Sequence, residues 1–434
     1  MKWELAIVAA AVLAVAAVSR RLTGTPVTAA MVFVAIGVLV GPLVIDGVTT
    51  APSNGAVRTL AEATLAVVLF ADASRIKLRA LVSEYTVPVR LLGIGLPLTI
   101  VAGAGVAVAL FTHLNLAEAV VLSVVLAPTD AALGEAVVTD AGLPSRIRQG
   151  LNVESGLNDG ICVPLLLIAL AVADVEGRVA SSHHALSVVA EEIGYGIVGG
   201  AAAGLIVAAV TTHAHRRDLI TGTWLQVVPI AGSALAYGIA VALGGSGFIA
   251  SFLAGGIFGA LAGEESEEAS RLNEEIGGLL GGLTFLLFGA ILLGPTLQHL
   301  TWQIVLYGVL SLTVVRMLPV AIAMFGTGAT WPTVGFLGWF GPRGLASIVF
   351  AVISLQEAHL AHVQTILLTS YVTIGLSVFA HGATAAPLAG RYARWYASRH
   401  AERPPLMESV PAAHHRPRGA PRVAVAPAAQ ARPS

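Results

Sequence analysis

Long apolar segments follow one another along most of this chain. Because about 20 residues span a bilayer, the sequence divides into roughly thirteen candidate spans. Hydrophobic residues make up 56% of the chain and charged residues only 11%, whereas soluble domains carry about 25% charged residues. We therefore predict an all-α polytopic membrane protein with about 13 transmembrane helices. The spans centre near Val12, Ile36, Val67, Ile100, Leu126, Pro164, Gly200, Ala234, Leu253, Leu286, Val314, Ile348 and Ile374.

Basic residues mark alternate connections between these spans. They follow the odd-numbered spans at Arg20, Arg21, Arg75, Lys77, Arg79, Arg146, Arg148, Arg216, Arg217 and Arg271. The connections after even-numbered spans carry only Arg58 and Arg178. By the positive-inside rule this alternation predicts a multi-pass cell-membrane protein with its N-terminus outside and its C-terminus in the cytoplasm.

The composition changes after Arg391, where Arg, Pro, Ala and His dominate. We predict a transmembrane region over residues 1–390 and a disordered cytoplasmic tail over 391–434. The formal net charge of −1 argues against a nucleic-acid partner. The sequence shows no phosphate-binding loop, Cys/His metal cluster or convincing nucleophile triad, so we expect neither an enzyme nor a bound cofactor.

Two spans are interrupted where they should cross the middle of the membrane. The fifth carries Ala127-Pro-Thr-Asp130 and the twelfth carries Gly341-Pro-Arg-Gly344. Proline breaks a helix, which is tolerated at bilayer depth only where protein or a cavity satisfies the backbone. The two spans run in opposite directions, as in an inverted repeat with two discontinuous helices at the substrate site. Two kinked helices without a functional role are the alternative.

Ionisable and polar residues cluster in the sixth span. Glu154 and Asn158 share one helix face, and Ser155 and Asp159 share the neighbouring face, because residues four apart are neighbours. Oxygen ligands suit hard cations, and ionisable residues at this depth usually mark an ion or proton path. Arg316, in the eleventh span, needs a buried partner, and Glu154 is the candidate at matching depth. That pairing leaves Asp159 for the ion.

In this order, Thr129-Asp130, Glu154-Ser155-x-x-Asn158-Asp159, Arg316 and Gly341-Pro-Arg-Gly344 resemble the sodium/proton exchangers of the NhaP/NHE type. The resemblance runs from the first span to about Arg391. It implies a thirteen-helix fold with a dimerisation domain and a six-helix core, a homodimer, and elevator-like movement.

The resemblance also implies roles for these residues. Asp159 would bind the cation and the proton, with Thr129 and Ser155 as further Na⁺ ligands and Asn158 as support. Glu154 would pair with Arg316. Asp130 and Arg343 would neutralise the dipole ends of the two broken helices.

Two positions depart from the family pattern or leave it open. Ala131 stands where many relatives have proline after the Thr-Asp pair. Asp72 matches a third-span acid in the family's ion path, but Arg75 and Lys77 lie close in sequence. An ion ligand and an interfacial structural aspartate are therefore both open interpretations of Asp72.

We predict a secondary antiporter that exchanges Na⁺ for H⁺, with Li⁺ or K⁺ as alternatives. Exchange should be electroneutral, because relatives that move extra charge carry an acid where this chain has Asn158. A K⁺/H⁺ antiporter of the same fold is the runner-up. A cation channel, an intramembrane hydrolase built on Ser155 and Glu154, and a non-transporting scaffold are further alternatives.

Overall fold

The computed structural model describes residues 2–22, 25–45, 54–76, 86–177, 182–357, 360–400 and 407–409. Every regular element in these ranges is helical. The helices are α1 (Lys2–Leu22), α2 (Ala29–Ile45), α3 (Asn54–Ser74), α4 (Thr86–Leu110), α5 (Leu116–Val125), α6 (Glu135–Thr139), α7 (Ser145–Gly177), α8 (Ser182–Arg216), α9 (Gly222–Ala242), α10 (Gly247–Ala262), α11 (Glu264–Leu287), α12 (Trp302–Leu312), α13 (Val314–Ala323), α14 (Trp331–Trp339), α15 (Leu345–Glu357) and α16 (Val363–His400).

The prediction of an all-α polytopic membrane protein is confirmed. Seven helices in the described ranges are long and apolar enough to cross a bilayer, and four shorter apolar helices accompany them. Large hydrophobic side chains also lie on the outside of the molecule, including Leu13, Leu39, Val101 and Phe325. Such a surface suits lipid rather than water, because lipid imposes no penalty for exposed apolar groups.

Glycines bring α8 and α10 into close contact. A Cβ atom at Gly200 would lie 2.7 Å from the Cα atom of Ala250, and one at Gly204 would lie 2.9 Å from the Cα atom of Ala254. Only glycine permits this backbone approach, which is the usual role of small residues between membrane helices. Gly196, Gly200 and Gly204, spaced four residues apart on α8, therefore serve helix packing.

The fifth and twelfth spans are discontinuous at the positions that the prolines indicate. Helix α5 ends at Val125 and the chain continues without regular structure through Asp130. Helix α14 ends at Trp339, and α15 begins at Leu345 after a non-helical stretch. Helix α7 packs beside α5 and α3, so its polar face lies next to the first break.

The predicted start of the tail at residue 391 is wrong. Helix α16 continues through Arg391 to His400. Its last turns are held by aromatic packing, because the Tyr392 ring stacks on Phe336 at 4.4 Å and lies 5.2 Å from Trp395. Residues 407–409 form a 3₁₀ turn with Glu408 buried. Residues 401–406 and 410–434 of the predicted tail lie outside the described ranges.

Candidate functional site

The two broken spans contact each other directly at their breaks. The backbone N–H of Asp130 donates to the carbonyl oxygen of Pro342 at 2.8 Å. The Asp130 carboxylate accepts from the backbone N–H of Ala132 at 2.8 Å and of Leu345 at 3.1 Å. Asp130 therefore lies at the N-terminus of α15, where a negative charge is stabilised by the helix dipole.

Arg343, in contrast, lies at the C-terminal end of a helix, α5. Its Nη1 donates to the carbonyl oxygen of Ala127 at 2.6 Å and to that of Pro128 at 3.3 Å, just beyond the C-terminus of α5. The Arg343 side chain is fully buried. A cation is stabilised there because the carbonyls at a helix C-terminus carry partial negative charge. Its own backbone N–H donates to Ser377 Oγ at 2.6 Å.

Two residues of α7 form hydrogen bonds with Thr129 at the first break. Ser155 Oγ donates to the carbonyl oxygen of Thr129 at 2.5 Å, and Asn158 Nδ2 donates to Thr129 Oγ1 at 2.6 Å. The backbone N–H of Thr129 donates to Asn158 Oδ1 at 3.3 Å. Both ends of the Asn158 amide thus contact Thr129, and the interaction needs an amide because a carboxylate cannot donate.

Glu154, on the same helix, forms an ion pair with Arg316 of α13. Arg316 Nη2 lies 2.6 Å from Glu154 Oε1 and 2.9 Å from Oε2, and both side chains are buried. The guanidinium also lies against Gly341, where a Cβ atom would collide with Arg316 Nε. The pair therefore connects α7 and α13 with the second break.

A small cavity of about 20 Å³ lies at the first break. Its lining includes Thr129, Asp130, Ser155 and Phe340. The volume is enough for one water-sized particle, and three of these residues supply oxygen atoms. Asp159 is buried on α7, next to Asn158, but it does not line this cavity.

Comparison with known proteins identifies the family. The family model described as "Sodium/hydrogen exchanger, transmembrane" matches residues 7–391. This chain belongs to the sodium/hydrogen exchanger family. An Na⁺/H⁺ antiporter of Schizosaccharomyces pombe is 29% identical over 265 residues, which cover 58% of this chain and 56% of that protein. The K⁺/H⁺ antiporter NhaP2 of Shewanella sp. strain ANA-3 is 24% identical over 407 residues, covering 88% and 66%.

The fold is that of a solved member of this kind. The sodium proton antiporter MjNhaP1 from Methanocaldococcus jannaschii matches with a TM-score of 0.72 at 18% identity, over 88% of this chain and 100% of that chain. The curated relatives are longer, since the matched regions span about half to two thirds of their length. The family model covers residues 7–391 of this chain, and the shared fold covers 88% of it.

Asp72 lies beside α7 and is ion-paired. A Cβ atom at Gly156 would lie 3.7 Å from the Asp72 Cβ atom, so α3 reaches the polar part of α7. The Asp72 carboxylate lies 3.3 Å from Arg75 Nη1, and Arg75 Nε donates to Glu274 Oε1 at 3.0 Å. The structure thus places Asp72 next to the site and in contact with the guanidinium group of Arg75. Lys77 lies outside the described ranges.

Sequence reasoning missed Ser377, which accepts the backbone N–H of Arg343. His381 is a buried, hydrogen-bonded residue one turn later: its Nδ1 is 3.0 Å from Ser377 Oγ, and its Nε2 is 2.9 Å from the Trp339 carbonyl oxygen. The spacing of four between the two residues was the available signal. Among the described residues, no group of three or more His, Cys, Asp or Glu side chains is arranged to hold a metal ion.

Proposed function

We propose that this chain is a secondary antiporter that exchanges a monovalent cation, Na⁺ in the first place, for protons. The observation that carries the proposal is the contact between the two helix breaks at Asp130 and Pro342, directly beside the acidic face of α7. Discontinuous helices that meet within the membrane are the usual substrate site of secondary transporters. Membership of the sodium/hydrogen exchanger family supports the same activity.

We assign the cation and proton to the carboxylate of Asp159. Asp159 is a buried carboxylate on α7, next to Asn158, at the position where the family resemblance implies the ion-binding acid. Glu154 instead pairs with Arg316, and Asp130 accepts from the N-terminus of α15. Thr129 and Ser155 supply hydroxyl and carbonyl oxygens, which are suitable ligands for a hard cation. Because proton and cation would bind the same carboxylate, each excludes the other, which couples their movements.

The proposed stoichiometry is one proton for one cation. An amide takes up no proton near neutral pH, so Asn158 contributes no second titrating group. The Asp72 carboxylate lies 3.3 Å from Arg75 Nη1, and we interpret Asp72 as a structural aspartate rather than a transport ligand.

Alternating access is favoured over a channel by the packing of the site. A channel needs a continuous water-filled pore, whereas Thr129, Ser155 and Asn158 are buried in a tight hydrogen-bonded cluster. We propose the elevator-like movement that the family resemblance implies, within a homodimer in the cell membrane. The N-terminus would lie outside and the C-terminus in the cytoplasm.

K⁺/H⁺ exchange is the second candidate, because the K⁺/H⁺ antiporter NhaP2 aligns with 88% of this chain. Everted membrane vesicles that carry a pH-sensitive dye separate the candidates. After respiration has acidified the vesicles, addition of the transported cation should dequench the dye. Na⁺, Li⁺ and K⁺ are added in turn at equal chloride concentration. Dequenching by none of the three would contradict the proposed function.

A further inference from the structure

A short segment after the last transmembrane helix docks onto the protein through a buried carboxylate. Glu408 belongs to the 3₁₀ turn Met407–Ser409, which we name the C-terminal turn, and is only 1% exposed. Its Oε1 accepts from the backbone N–H and the hydroxyl of Thr330, each at 2.9 Å, and from Thr333 Oγ1 at 2.6 Å. A surface segment seldom buries a charge in this way without a specific partner.

The partner is the N-terminus of α14, the first half of the broken twelfth span. Helix α14 has nine residues, and helices of that length have little stability of their own. Thr330 precedes α14 and its side chain makes no capping hydrogen bond to the helix. Glu408 accepts the backbone N–H of this N-cap residue from another part of the chain, as the carboxylate of a capping box does, with a charge of the sign that a helix N-terminus favours.

The same turn also contacts α7, and its partner Thr333 contacts α16. Arg146 Nη1, in the first turn of α7, donates to the carbonyl oxygen of Met407 at 3.2 Å. Thr333 Oγ1 lies 2.7 Å from the hydroxyl oxygen of Tyr392 on α16. The C-terminal turn therefore joins the beginning of α14 to the beginning of α7, and Thr333, which donates to Glu408, also contacts α16.

Hydrophobic packing connects the turn with the small cavity. Met407 packs against a cluster that contains Phe340, Leu151 and Val137. These three residues also line the cavity at the first break. Phe340 is the C-cap residue of α14, immediately before Gly341.

We propose that the C-terminal turn is a clamp that fixes α14, and with it the break at residues 340–344, and that Glu408 is a positioning residue for cation exchange. Glu408 acts through α14 and contacts no transported ion. The clamp itself follows from contacts within the chain. Its effect on exchange rests on the proposed function.

Hydrogen exchange tests the clamp independently of transport. We compare the purified full-length protein with Glu408→Ala, Glu408→Gln and Thr333→Val. Glu402→Gln is the matched control because it removes the same charge from the same terminal region. Loss of a helix cap corresponds to about tenfold faster exchange of the α14 amides. We expect this faster exchange of the α14 amides in Glu408→Ala. Glu408→Gln keeps an acceptor oxygen and should show a smaller increase in the exchange rate, and Glu402→Gln should show none.

Transport in proteoliposomes tests the positioning role. Displacement of the break should raise the apparent cation KM about threefold or more in Glu408→Ala and Thr333→Val and change the maximal rate less.

The two tests can fail separately. Unchanged hydrogen exchange of the α14 amides in these variants would overturn the clamp. Faster α14 exchange with an unaltered KM would overturn the positioning role. If the parent protein shows no cation-driven proton flux, the proposed function fails while the hydrogen-exchange result still decides the clamp. If Glu408→Ala does not fold, Glu408→Gln and Thr333→Val carry the same comparisons.

Discussion

Arg316 Nη2 donates to Glu154 Oε2 at 2.9 Å and lies 2.6 Å from Oε1, and both side chains are buried. Removing one partner of a buried pair costs about 3–5 kcal/mol, since the other charge is left uncompensated. Glu154→Gln and Arg316→Met should each lower the melting temperature of the purified protein. The melting temperature of the double variant should fall by less than the sum of the decreases in the two single variants. Additive losses in this double-mutant cycle would show that the two side chains are not energetically coupled.

Gly341 packs tightly against Arg316 of the Glu154–Arg316 pair. A methyl group there would collide with Arg316 Nε, whereas a methyl group at Gly335, on α14, would meet no atom within 4 Å. We predict that Gly341→Ala lowers both the melting temperature and the exchange rate. Gly335→Ala should be neutral or stabilising by up to about 1 kcal/mol, because alanine favours a helix over glycine. Equal effects of the two substitutions on stability and transport would contradict the close packing at Gly341.

The docking of the C-terminal turn should be insensitive to pH across the physiological range. Burial raises the pKa of Glu408, but the hydrogen bonds from Thr333 and Thr330 outweigh it, and the pKa lies below the ordinary value of 4.5. Among the described residues, Arg146, Tyr392 and Tyr396 are charged or titratable groups near the turn. A lowered carboxyl pKa stabilises the docked form above pH 4.5, and this stability is lost as pH falls through the docked pKa.

Hydrogen exchange of the α14 amides, corrected for the intrinsic pH dependence, is the measurement. Protection should be constant between about pH 6 and 8. A loss of protection with a midpoint in that interval would mean that Glu408 is protonated there, contrary to its hydrogen bonding.

Exchange should not respond to membrane potential. With Asn158 as an amide and Glu154 held by Arg316, one proton replaces one cation at Asp159. The test uses proteoliposomes whose potential is clamped with valinomycin and potassium, with Na⁺ as the driving cation at fixed gradients. Acceleration or reversal of flux with potential would refute the one-for-one scheme, and Asp72 would then be the first residue to substitute.

Much of the site was predictable from local sequence because bilayer depth makes certain residues conspicuous. Charges such as Asp159 and Arg316 are costly in lipid, and prolines such as Pro128 and Pro342 break helices wherever they occur. These signals depend on single residues and their spacing. For that reason they indicated both breaks and the polar face of α7.

Contacts between distant segments were not predictable in the same way. Nothing in the local pattern indicates that Ser377 accepts from the backbone of Arg343 or that Glu408 caps α14, because these partners meet only after folding. The end of α16 was misplaced for a related reason. Composition indicated a tail from residue 391, whereas the stacking of Tyr392 on Phe336 accompanies a longer helix.

The most direct test concerns the carboxylate of Asp159. Purified protein and its Asp159→Asn variant are reconstituted into liposomes containing a pH-sensitive dye, and an inward Na⁺ or K⁺ gradient is applied. The parent protein should export protons in response to at least one of these cations, with a cation KM that rises as external pH falls. Asp159→Asn should fold, insert and show no flux above empty liposomes. Near-normal cation-driven proton flux through the folded Asp159→Asn variant would contradict the assignment of ion and proton to this residue.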